Sequence, residues 1–122
     1  MKKISFIFAL LMIFSSPVWA QRPINYDVKG AGASSCGTWT LDHAQGDVSA
    51  AANVDDEWVL GFVVGQELLY ADTTHKNYTI STDYNGIIGW IGNYCQQNPV
   101  KEIVDAAQNF VLKSNAVSPV DY

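Results

Sequence analysis

Two cysteines, two histidines and one run of three carboxylates are the residues of this chain whose types could carry chemistry. Cys36 lies in "SSCGTW" and Cys95 in "GNYCQQ", far apart in sequence. Two thiols with His43 and His75, each distant from the other, do not supply the close set of ligands that a structural metal needs. A catalytic thiolate needs an activating base near it, and neither cysteine has one at a recognisable spacing. The run "VDDEW" places Asp55, Asp56 and Glu57 together. At a helix start such carboxylates favour the positive end of the helix dipole, which accounts for them without catalysis. His43 follows Asp42 and could form an acid–base pair with it, or be an exposed loop histidine. His75 in "THKN" reads as a solvated loop residue able to titrate in mild acid. The chain has no nucleophile elbow, zinc-protease helix, P-loop or dinucleotide-type glycine run. The expectation is a non-enzymatic chain with no catalytic residues, no metal and no cofactor.

The first residues set the compartment. "MKK" is a basic start, "ISFIFALLMIF" an apolar stretch, and "SSPVWA" a small-residue exit with Val18 and Ala20 at the positions a signal peptidase reads. Residues 1–20 therefore read as a secretory signal cleaved after Ala20. An uncleaved anchor is the competing reading, and the apolar run is short for roughly 30 Å of hydrocarbon. Residues 21–122 then form one small domain, its ends (21–33 and 114–122) expected to be flexible. Without Lys2 and Lys3 the domain has five basic and twelve acidic residues, a net charge of −7. That balance argues against nucleic acid and against anionic membrane surfaces as partners. In an exported chain two cysteines are most simply a disulfide. Joining Cys36 to Cys95 closes a loop for which chain entropy gives roughly 4 kcal/mol.

The elements that must position these residues are helical. "SSCGTWTLDH" reads as one or two helical turns pinned by Cys36 and Trp39, and "AQGDVSAAAN" as a loop. Asn53 is expected to cap the helix "VDDEWVLGFVVGQELLYA", whose apolar residues run almost all round it and imply a buried, central position. Its Gly61 and Gly65 each cost about 1 kcal/mol relative to alanine, which implies that something packs closely on the backbone there. "DTTHKNYTIS" is a polar connection that could hold a short strand near Tyr78–Ile80. From a cap at Thr82 or Asp83, residues Tyr84, Ile87, Ile88, Trp90, Ile91, Tyr94 and Cys95 share one face of the next helix. Asn98-Pro99 is expected to end that helix and start another, with Asn98 as cap and Pro99 as its first residue. Val100, Ile103, Val104, Ala107, Phe110 and Val111 then line the inner face of that last helix. The fold class is all-α: about four helices and one staple.

From Thr82 onward the chain resembles a known family. "TDYNGIIGWIGNYCQQNPVKEIVDAAQNFV" is similar to the carboxy-terminal signature of the Rap/Tai immunity proteins. The likeness rests on Asp83, Trp90-Ile91, Asn93-Tyr94-Cys95, Asn98-Pro99 and Ala106-Ala107. "GAGASSCGTW" and "EWVLGFVVG" resemble the family's first-cysteine segment and central helix, so that about three quarters of residues 21–122 is covered. Gly92 and Gln96-Gln97 depart from the pattern, on the side of the helix that would meet a partner.

That resemblance implies an exported, periplasmic protein that protects against peptidoglycan amidases delivered by type VI secretion. It would bind a basic cell-wall hydrolase without doing chemistry itself, and a homodimer is one assembly it allows. The candidate contact residues are Asp55, Asp56 and Glu57 together with Asp72, His75 and Tyr78 of the following connection. The family is often grouped with the acid chaperones HdeA and HdeB, which are likewise small, helical and stapled once. The alternative is therefore an acid-activated chaperone, opened by the swing from −7 towards positive charge at low pH. An exported helical protein with neither role is the third reading.

Overall fold

The computed structural model describes residues 27–45, 49–76 and 80–115. Residues 1–26 (with the expected signal), Tyr78 and the residues from 116 onward lie outside the described residues. Among the described residues there are four α-helices and no strand: α1 (Cys36–His43), α2 (Ala50–Thr74), α3 (Tyr84–Gln97) and α4 (Ile103–Asn115). A single 3-10 turn, Gly30–Ala33, precedes them. The chain is all-α and carries the Cys36–Cys95 disulfide.

Each helix start has a local chemical reason. Ser35 accepts the Thr38 N–H at the head of α1, and Asp83 accepts the Gly86 N–H at the head of α3. For α2 the cap is Ser49, which accepts the Ala52 N–H, and Ala50 to Ala52 are strong helix formers. The expected cap at Asn53 is thus one turn late, and Asp55, Asp56 and Glu57 sit in the second turn of α2 rather than the first. Dipole complementarity does not account for them.

The corner at Asn98-Pro99 also differs from expectation. Asn98 closes α3, its side-chain amide donating to the Tyr94 carbonyl at 2.9 Å, and α4 begins only at Ile103. Residues 99–101 are used otherwise. The Pro99 and Lys101 carbonyls accept the Gly37 and Cys36 N–H groups at 3.0 and 2.7 Å. The Ile103 N–H donates in turn to the Ser34 carbonyl at 2.9 Å, beside an isolated bridge between Ser35 and Glu102. Two of the four orphan donors at the start of α1 are thereby satisfied by the corner itself. The disulfide lies against this backbone clasp, both cysteines wholly buried.

The core is built on the expected faces of α3 and α4. Ile87, Ile91 and Cys95 meet Ile103, Ala106, Ala107, Phe110 and Val111, with Trp39 from α1 and Val59 and Val63 from α2. Val100 lies outside α4 and is exposed. The segment 27–33 is not a loose lead-in. Trp58 donates its ring N–H to the Lys29 carbonyl and lies over the 3-10 turn so closely that a Cβ on Gly32 would be 2.1 Å from its ring. Nothing lies within 4 Å of where a Cβ on Gly61 or Gly65 would stand, so the close packing expected at those two positions is absent.

Gly32 and Gly61 should therefore respond in opposite directions. Gly32→Ala forces the Trp58 ring aside and is expected to lower stability by about 1–3 kcal/mol. Gly61→Ala meets open space on an exposed helix and is expected to raise it by up to about 1 kcal/mol. Urea melts of the oxidised variants read both signs.

Candidate functional site

Two features of α2 stand out, on opposite sides of the helix. The first is a strip without a neighbour among the described residues. At helical spacing Gly61, Val64, Gly65 and Leu68 share one face, and all are exposed, Leu68 by 66%. Leu69 flanks them and Val54 continues the face two turns before Gly61. A fully apolar girth on α2 implied burial, but α1, α3, α4 and the 3-10 turn occupy only the other side. Glu57 stands on the strip at its amino-terminal end and Asp72 at its carboxy-terminal end, both exposed. The whole of α2 contains no lysine or arginine. Its last turn closes on His75, which is exposed and adopts a left-handed backbone (φ 56°) as the C-cap.

The second feature is a polar joint where α1, α2 and α3 meet. His43 lies at the end of α1 and stacks on Trp39 with ring centres 4.0 Å apart. Its Nδ1 is 2.8 Å from the Trp39 carbonyl and its Nε2 is 2.8 Å from Asp56 Oδ1. The other Asp56 oxygen accepts the Tyr84 hydroxyl at 2.5 Å. Asp55 is 4% exposed, and its Oδ2 has no hydrogen-bond partner. Burial, then the neighbouring Asp42 carboxylate, pushes the Asp55 carboxyl up to about 6.

These positions re-sort the candidate contact residues. Glu57, Asp72 and His75 lie on or at the end of the exposed face of α2. Asp55 and Asp56 are withdrawn from it and buried, a correction with a simple cause: three consecutive helical residues span about 200° and cannot share one face. Tyr78 lies outside the described residues. His43 is neither a loop histidine nor the partner of Asp42; it is helical and pairs with Asp56, thirteen residues on. Sequence reasoning missed that pair because the intervening residues read as a loop. The one signal for it was the 100° periodicity, which puts Asp56 on the same face as Val59 and Val63.

An open cleft of about 620 Å³ lies beside α2, with Trp58, Phe62, Val104, Val111 and Leu112 on its walls and Lys29 at its rim. Among the described residues, no group of three or more His, Cys, Asp and Glu side chains could hold a metal ion, and no helix is long and apolar enough to cross a membrane. Comparison with family models, curated protein sequences and solved structures returned no match for this chain.

The polar joint is expected to be a structural unit. Tyr84→Phe should cost about 1 kcal/mol. Asp56→Ala strands the half-buried His43 and should cost about 3 kcal/mol. Because both act through one carboxylate, the double variant should fall short of the sum by more than about 0.5 kcal/mol in urea melts. Additive losses would show that the Tyr84 contact contributes nothing.

Proposed function

We propose that this chain is a non-enzymatic, exported binding protein whose exposed α2 face docks on a basic protein, in the manner of an inhibitor of a cell-wall hydrolase. The observation that carries the reading is the strip itself. Gly61 and Gly65 leave the helix backbone flush beside Val64 and Leu68, so a partner's ridge or helix can approach closely, as small residues allow at helix–helix contacts. The surrounding charge chooses the kind of partner. Glu57 and Asp72 bracket an apolar centre on a helix without a single cation, within a domain of net charge −7 after removal of the first twenty residues. Such a surface favours a partner with an apolar ridge flanked by lysine or arginine, and its field speeds their encounter. A second copy of the chain would bring like charges together across the strip. The cysteines, the amino-terminal segment and the likeness to immunity proteins all agree with a role outside the cytoplasm.

The test uses a purified exported peptidoglycan amidase of basic pI from the same organism, assayed on cell-wall sacculi. Inhibition saturating near one binding site per enzyme is expected from the oxidised protein. Gly65→Arg should weaken it at least tenfold without lowering the melting temperature, since nothing lies within 4 Å of that position. Full inhibition by Gly65→Arg would remove the strip as the docking face. No inhibition at neutral pH, with clients captured only near pH 2.5, would replace the reading with that of an acid chaperone.

A further inference from the structure

The polar joint between α1, α2 and α3 has an arrangement of acceptors that ordinary protonation states cannot satisfy. Each ring nitrogen of His43 faces an acceptor: the Trp39 carbonyl oxygen at Nδ1 and Asp56 Oδ1 at Nε2. A neutral imidazole has one N–H. Making both contacts requires one further proton, held on Nε2 or on Asp56 Oδ1, and Asp56 Oδ2 is already committed to the Tyr84 hydroxyl. The second place is Asp55, where burial and the neighbouring Asp42 charge both disfavour the ionised carboxyl. Asp55 is moreover buried with one oxygen unpartnered, and an isolated buried carboxylate is costly.

We propose that this joint is a two-proton site, one proton lying between His43 and Asp56 and one on the buried Asp55 carboxyl, and that protonation of Asp55 in mild acid tightens the docking of α1 on α2. The groups facing it are Asp42 and His43 from α1, Asp55 and Asp56 from α2, and Tyr84 from α3. No lysine or arginine is among them. Without the two protons the joint would gather three carboxylates against a neutral ring; with them it keeps a single negative charge. The direction for Asp55 follows from its raised value. A carboxyl that binds its proton more tightly folded than unfolded adds stability that is complete below 3.8 and is lost as pH rises through about 6. The joint is thus closed most firmly in a mildly acidic medium and loosens towards neutrality. This regulation is independent of the identity of any partner bound by α2.

Melting curves of the oxidised protein between pH 5 and pH 7.5 test it. Tm is expected to be higher at pH 5 by roughly 4 °C or more. Asp55→Asn, which is neutral at every pH, should raise Tm at pH 7.5 and at least halve the dependence on pH. A carbon-13 titration of the wild-type carboxyls keeps the test open if that variant fails to fold: Asp55 should titrate near pH 6. A wild-type Tm that is flat or falls towards pH 5, an Asp55→Asn variant with the wild-type slope, or an Asp55 midpoint near 3.8 would each overturn the proposal.

Discussion

The arrangement of helices depends on one clasp, in which the start of α1 is held against the corner between α3 and α4. Three backbone hydrogen bonds join the segments, from Cys36 to Lys101, from Gly37 to Pro99 and from Ile103 to Ser34. The Cys36–Cys95 disulfide closes over them. The two parts reinforce one another. Backbone groups at a helix start must find acceptors, and the corner supplies carbonyls only because it is not itself helical. The covalent bond then removes most of the entropy that the unfolded chain would gain by separating segments about 60 residues apart. A small domain buries only a modest share of its surface, so such a cross-link is a large part of what keeps it folded.

With α1 fixed to the corner, the position of α2 follows. Trp39 and His43 project from α1, one into the core beside Val59 and Ile91, the other onto Asp56. On the far flank Trp58 is held over the 3-10 turn. Both contacts use the same half of α2, and no element among the described residues covers the other half. The exposed strip and the buried acid joint are thus two sides of one geometry. The side that meets α1 carries Asp55 and Asp56, and the side that no described element meets carries the flush glycines between Glu57 and Asp72.

Much of this frame was legible in the residues. The inner faces of α3 and α4 follow from apolar periodicity, and Asp83 caps where a cap was expected. The disulfide followed from two cysteines in a chain with an export-type start. What could not be read were relations between distant parts. An apolar helix looks buried by its own composition, yet burial depends on how many neighbours the fold can place around it. Ser49 was hidden by a run of small residues that suits a loop and a helix equally. Asn98-Pro99 has the local chemistry of a helix start, and only the need of Cys36 and Gly37 for acceptors explains why the helix begins four residues later. The acid joint was least legible of all. Its members come from three helices, and Asp55 and Asp56 have a sufficient local explanation at a helix start until the helix is seen to begin earlier.

Backbone amide hydrogen exchange, before and after reduction of the Cys36–Cys95 bond, tests the dependence on the clasp most directly. In the oxidised protein the amides of Cys36, Gly37 and Ile103 should be among the most protected. After reduction they should lose protection together, as α1 is released as a unit and the hydrogen bond between His43 and Asp56 breaks with it. Unchanged protection at these three amides in the reduced protein would contradict the account, and would mean that packing alone holds α1 to the corner.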